Sequence, residues 1–256
     1  MFKKMTLFII FLVSSITNYN AQEFENGEIG ITLNDYGRVR LHAPAIGATV
    51  QLDRFSFLAG IARDKVFDYK NDSETIDTAR SIDTDLSDVA MTVSVNNTYP
   101  ATLDPPGVVN QPAFDLTVTV YGWNSGGFAL VKYEFVNKES DNMETTFGFE
   151  VLPQIDGAYG LESIDYNSGR GIVHIQQSVF STKVGMKVLS EDIQTLTMVD
   201  WFDGYELGDS LLWDWLTTGT ITSSFSSGSD GSVDVLGLAP KTLSLNETTE
   251  IWLAIG

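Results

Sequence analysis

The 256-residue chain has no cysteine and only two histidines, His42 and His174. Without cysteine there are no disulfides, no thiolate metal sites and no lipid-modified cysteine anchor, so the fold must rest on its hydrophobic core. A multi-histidine zinc centre would need both histidines plus a carboxylate, and no HExxH spacing occurs. The GxSxG elbow of serine hydrolases is missing, as is the phosphate-cradling GxxxxGK[ST] loop. Positive charge is scarce too: 15 Lys and Arg face 34 Asp and Glu, a formal net charge of −19. Such a chain repels phosphate backbones and anionic headgroups, so nucleic acid is not an expected partner.

One long apolar run is present, at the start. Lys3 and Lys4 precede Met5 to Val13, and a polar stretch from Ser14 leads to Ala21 and Gln22. This is the three-part pattern of a secretory signal. A membrane-spanning helix needs about 20 apolar residues, and this run stops short of that. The expectation is a signal peptide over 1–21 and one mature domain over 22–256, exported to the periplasm or the extracellular space with no transmembrane segment. With 43% hydrophobic and 11% aromatic residues, the chain has the means to fold around a core.

What is there is mostly strand. Segments 113–121 (AFDLTVTVY), 128–136 (FALVKYEFV) and 145–151 (TTFGFEV) alternate apolar and polar side chains, the period of half-buried strands. The turn-rich link GWNSGG makes the first two a hairpin. Further strands are expected at 28–33, 37–42, 47–51, 54–60, 89–95, 171–176, 183–189, 193–199, 232–236, 242–245 and 250–255, most of them separated by Gly, Asn, Asp or Ser clusters. Many short strands without alternating helices predict an all-β fold, a large antiparallel two-sheet sandwich. One short helix is predicted near 209–217, where Leu211, Leu212, Trp215 and Leu216 share a face, Asp209 or Ser210 caps the start and Gly219 follows the end. It is expected to plug one end of the sandwich. Residues 64–88 and 100–112 read as long loops, and the terminal strand 250–255 as an edge open to strand addition.

Chemistry must come from carboxylates, rings and the two histidines. His174, with Glu150 or Glu162, is the candidate acid-base set for sugar chemistry. Asp83, Asp85 and Asp88 lie close in sequence and offer oxygen ligands to calcium, although the D-x-[DN]-x-[DN]-G loop is not present. Trp201, Phe202, Tyr205, Trp213 and Trp215 are interleaved with acids. Flat rings cover sugar C–H faces while carboxylates accept hydroxyl hydrogens, so Trp201, Tyr205 and Trp213 are candidate ligand-binding residues, with Trp123 at the hairpin tip as another. The same cluster also suits core packing, Trp215 being the ring on the helix's apolar face and Trp213 the one pointing elsewhere.

The order of short motifs resembles a group of uncharacterised secreted bacterial β-sandwich proteins. The matching segments are Gly27 to Gly37, FSFLAGIA, VNKESDNM, the Tyr159, Gly160, Glu162, Tyr166 segment, DWFDGY and SDGSVDVL. Their strand pattern is similar to the galactose-mutarotase-like supersandwich, which implies a large two-sheet fold and, by itself, no function. Mutarotase-like enzymes use a histidine acid and a glutamate base, but the flanking motifs here do not match. Three readings stand: a noncatalytic envelope or extracellular module binding glycans or matrix, a sugar-active enzyme using carboxylates and His174, and a calcium-stabilised structural component.

Overall fold

The computed structural model describes residues 21–47, 49–97, 113–201 and 208–256. The described residues are all-β apart from one short helix and short 3-10 turns, and their strands form two antiparallel nine-stranded sheets. The first sheet runs β1 (Ala21–Glu25), β2 (Gly30–Asn34), β3 (Val39–Ala43), β4 (Thr49–Ala62), β10 (Met143–Pro153), β16 (Ser232–Gly237) and β14 (Thr195–Asp200). Beside this path, β5 (Lys65–Phe67) pairs with β4 and β17 (Lys241–Leu243) with β10. The second sheet runs β15 (Ser224–Ser226), β11 (Glu162–Asn167), β12 (Ile172–Gln177), β13 (Lys183–Val188), β18 (Thr248–Ile255), β9 (Ala129–Asn137), β8 (Phe114–Gly122), β7 (Val89–Asn96) and β6 (Glu74–Ile82).

The period-two pattern builds the core between the sheets. Phe55, Phe57 and Ala59 of β4 and Phe147, Phe149 and Val151 of β10 turn inward to meet Val131, Tyr133 and Phe135 of β9. Phe57 stacks on Tyr133 across the sandwich, with ring centres 5.2 Å apart. The expected hairpin forms, with β8 and β9 paired from Phe114–Asn137 to Tyr121–Leu130.

Strand β4 is buried on both faces from Gln51 to Gly60, which a half-exposed strand would not be. Part of its cover is α1 (Asp209–Thr217), which lies across the outer face of the first sheet, against β16, β5, β14, β10 and β4. The helix was expected at one end of the sandwich; glycines in the sheet let it sit on the face instead. A Cβ on Gly60 would stand 3.1 Å from Trp213, and one on Gly148 only 2.2 Å from the Leu236 carbonyl and 2.3 Å from Leu216. Leu58, Val66, Leu152, Val233 and Val235 then form a second apolar cluster with Leu216, with Trp201, Leu212, Trp213 and Trp215 packed on it. We expect Gly148→Ala to lower stability by about 1–3 kcal/mol, because the clash is with backbone and overpacking cannot relax into a rotamer change. Urea unfolding followed by tryptophan fluorescence tests this; an unchanged midpoint would mean that the helix does not seat closely on β10.

Other expectations shift in instructive ways. Segments 47–51 and 54–60 are one strand, β4, interrupted by a bulge. The supposed loop 64–88 contains β5 and the edge strand β6. Register shifts around Asp77 break the alternation of β6, and most of its side chains face solvent, which hides the strand from a pattern search. Strand β18 is not an edge, because it lies between β13 and β9. Strands β1, β11 and β15 carry no clear apolar signal and were not expected. The proline-rich segment 100–112 lies outside the described residues.

Candidate functional site

The bulge in β4 creates the most polar part of the first sheet. Val39 pairs with Phe55 and Leu41 with Leu52, so the single residue Arg40 faces two residues, Asp53 and Arg54. The β4–β10 pairing slips at the same place, Leu152 facing Arg54 and Pro153 facing Leu52. Asp53 is therefore the extra residue on both sides, and a bulge re-aims side chains in this way. Arg40 donates to the Asp53 carboxylate at 2.5 Å and to its carbonyl at 3.1 Å.

Behind this pair sits a second one. Arg54 Nη1 donates to Glu150 Oε2 at 2.9 Å, and the side chains are only 9% and 7% exposed. Ser56 Oγ lies 3.4 Å from the same oxygen. Burial pushes the Glu150 carboxyl up from its ordinary value, Arg54 opposes that shift, and the nearby Asp68 adds to it.

Aromatic rings surround the pairs. The Arg54 guanidinium lies 5.0 Å from the Tyr69 ring centre and that of Arg38 6.0 Å from the same ring, within the range of cation–π attraction. Tyr69 rides on a tight turn in which Asp68 accepts from the Lys70 and Asn71 amides at 2.8 and 2.9 Å. The Asp68 amide donates in turn to Asp72 at 2.9 Å. Burial, aided by Asp68 and Asp209, pushes the Asp72 carboxyl up to about 7. Tyr159 and Trp201 form a further wall, their ring centres 6.2 Å apart. Burial, then the Asp53 charge, push the Tyr159 hydroxyl up, while the Arg40, Arg54 and Arg38 charges pull it back.

Glu162 serves this wall from behind. It accepts from the Gly160 amide at 2.7 Å and from Ser227 Oγ, and Gln177 Nε2 donates to the Ala158 and Gly160 carbonyls. These bonds hold the turn that carries Tyr159, in which Gly160 has φ 89° and a Cβ would fall 2.2 Å from the Ser229 carbonyl.

The structure thus brings together only some of the residues singled out in the sequence. Glu150 and Trp201 belong to this face, and Glu162 supports it. His174 is exposed on the outer face of the second sheet, opposite Asp165, while its neighbours Val173 and Ile175 enter the core. The sandwich separates His174 from Glu150, and Glu162 turns inward, so the expected acid-base set is not assembled. Trp213 does not point away from the core: it packs over Gly60, beside Leu216, with Trp215 in the same cluster. Asp209 does not cap α1, whose N-cap is Gly208; it accepts from the Val66 amide at 3.2 Å. Trp123 folds onto Phe128 with ring centres 5.3 Å apart. Tyr205 lies outside the described residues. Asp83, Asp85 and Asp88 are exposed, and Asp88 accepts from the Asn124 amide at 2.8 Å. Among the described residues no three acidic or histidine side chains gather closely enough to hold a metal ion.

Arg38, Arg40, Arg54 and Tyr69 were missed. The signal was present in G-R-V-R-L, whose spacing puts both arginines on one face of a strand, and in the two charged residues, Asp53 and Arg54, of the otherwise largely apolar run LDRFSFLAG.

No known family model matches the chain, and no curated protein matches it in sequence. Solved structures do match in fold. A bacterial glucoamylase complexed with acarbose aligns with TM-score 0.62 at 12% identity, covering 90% of this chain and 30% of the glucoamylase. The chain thus spans less than a third of that enzyme. A galactose mutarotase-like protein from Lactobacillus casei aligns with TM-score 0.51 at 11% identity over 92% of this chain and 99% of its own. A second, from Clostridium acetobutylicum, gives 0.52 at 11% identity over 93% and 95%. The fold is the mutarotase-like supersandwich, and at these identities the likeness is one of fold alone.

Proposed function

We propose that this chain is an exported carbohydrate-recognition module whose site is the Arg54–Glu150 face of the first sheet. The observation that carries the reading is the buried ion pair between Arg54 and Glu150, set among Tyr69, Tyr159 and Trp201. Burying two charges gives little net stability compared with an apolar pair of the same volume, so stability alone does not account for it. The pair underlies a face on which the more exposed Arg40 and Arg38 offer donors for sugar hydroxyls and the rings of Tyr69 and Tyr159 offer flat surfaces for C–H edges. The fold likeness to sugar-related proteins supports this by analogy.

A second reading, sugar-ring chemistry, is favoured by one feature. The carboxyl of Glu150 is pushed up by burial, the condition that suits a general acid or base working near neutral pH. His174 has no part in this version. If it holds, Glu150→Gln lowers turnover far more than it weakens sugar binding.

The test of the site uses Tyr159, which is 44% exposed, so that its removal perturbs the fold little. Tyr159→Ala is expected to weaken glycan binding about thirtyfold, the loss of about 2 kcal/mol typical of an aromatic anchor. Calorimetric titration of the purified protein against soluble oligosaccharides measures it. Binding unchanged in Tyr159→Ala, or no binding to any glycan, would overturn the assignment.

A further inference from the structure

We propose that the sugar recognised at this face carries an anionic group, a carboxylate, sulfate or phosphate, and that Arg38 is the residue that receives it. This deepens the carbohydrate-binding reading of the same face and rests on it.

The argument begins with scarcity. The chain holds six arginines in all, at a net charge of −19, yet Arg38, Arg40 and Arg54 lie on this one face, Arg38 and Arg54 over the same Tyr69 ring and Arg40 across the strand pair from Asp53 and Arg54. Arg38 and Arg40 flank the inward-facing Val39, so both side chains leave the sheet on the outer side. A random scatter of so few cations does not place half the arginines on one face of one sheet.

Their bonding differs. Arg40 is taken by Asp53 and Arg54 by Glu150. Arg38 has no such carboxylate among the described residues: its guanidinium lies 6.0 Å from the Tyr69 ring centre, and its Nε is shut off from solvent without a hydrogen-bond partner. A buried donor on a charged group is expensive to leave unfilled. Among the described residues no carboxylate makes an ion pair with Arg38, while Asp68, Asp72 and Asp209 accept from the backbone amides of their own turns and of Val66. The planar fork of an arginine, with one donor already desolvated and the ring of Tyr69 beside it, is organised to receive the paired oxygens of an oxyanion. An overall acidic chain repels anionic polymers at long range, so a local cationic focus is what such a ligand requires at contact.

The experiment is calorimetric titration of the purified protein, at low and at physiological salt, with four kinds of probe: uronic acid oligosaccharides, sulfated oligosaccharides, hexose phosphates and neutral oligosaccharides of matching length. At least one acidic class is expected to bind ten times more tightly than its neutral counterpart, and the class that does so identifies the group. Arg38→Gln is expected to abolish that ratio, weakening the acidic sugar about ten times more than its neutral counterpart. Arg38→Lys, which keeps the charge and loses the fork, is expected to fall between the two and serves as the second variant if Arg38→Gln folds poorly. Equal binding of acidic and neutral sugars, or an acid preference that survives in both Arg38 variants, would overturn the inference. If neutral sugars bind in a Tyr159-dependent way without an acid preference, the carbohydrate reading stands and this inference falls. Binding of none of the four removes both.

Discussion

Replacing Arg54 by alanine is expected to cost about 3–5 kcal/mol of stability, because it strands the Glu150 carboxylate on a side chain only 7% exposed. The penalty should depend on pH. Glu150 already sits above its ordinary range through burial, and without Arg54 it rises further. A carboxyl whose folded value is raised keeps full stability below its unfolded value and loses it as pH climbs, so the Arg54→Ala deficit should be larger at pH 8 than at pH 5. The double replacement Arg54→Met with Glu150→Leu should recover most of the loss, since an apolar pair of similar volume avoids both desolvation penalties. Urea denaturation of the wild type, the single variants and the double variant closes the cycle. A loss below about 1 kcal/mol in Arg54→Ala would mean that the pair behaves as an exposed one, in the range of surface salt bridges.

Asp234 should have an effect as large, with the opposite sign at neutral pH. It lies on β16 opposite Val151 and Met198, is fully buried, and neither carboxyl oxygen has a hydrogen-bond partner among the described residues. Burial, reinforced by the Glu162 charge, holds it well above the ordinary carboxylate range, so the folded protein keeps a proton that the unfolded chain releases. Stability contributed by this group is complete below about pH 4 and declines as pH rises, by about 1.4 kcal/mol per unit while the two states differ by one proton. Asp72, with its carboxyl pushed up to about 7, adds a decline in the same direction from about pH 4 to its own titration point. Asp209 and Glu150 shift the same way. The protein should therefore melt higher at pH 5 than at pH 8. Asp234→Asn should raise stability at pH 8 and flatten this slope, which separates the buried carboxyl from the general relief of negative charge. A variant with the wild-type slope would show that Asp234 is ionised in the folded state.

The fold was legible in the sequence because its core strands obey period two. AFDLTVTVY and FALVKYEFV both pair as expected, since core residues alternate with partly exposed ones along all of β9 and the first half of β8. Legibility failed where that condition failed. Strand β6 lies at an edge with shifted register, so its alternation is broken, and β4 is covered on both faces, so its two halves looked like separate strands. The helix was visible in its own periodicity, but its place on the sheet depends on Gly60, Gly148 and Gly237, which are far apart in the chain and become one surface only after the strands pair.

The site was half legible for the same reason. Glu150 and Trp201 stood out by residue type, whereas the arginines that define the face are aligned by a bulge that no local pattern reveals. His174 drew attention as one of two histidines, but strand alternation points it to solvent, since Val173 and Ile175 on either side are core residues. That conclusion was available from the sequence segment GIVHIQ alone.

The most direct test of the binding face is side-chain footprinting with hydroxyl radicals, with and without a saturating oligosaccharide. Tyr159 and Trp201 lie on the proposed face, while Trp252, stacked on Tyr121 with ring centres 5.5 Å apart, lies on the second sheet and Trp123 at the β8–β9 hairpin. Protection of Tyr159 and Trp201 with no change at Trp252 and Trp123 is the expected result. Protection confined to Trp252 or Trp123 would place carbohydrate elsewhere and contradict the assignment of this face.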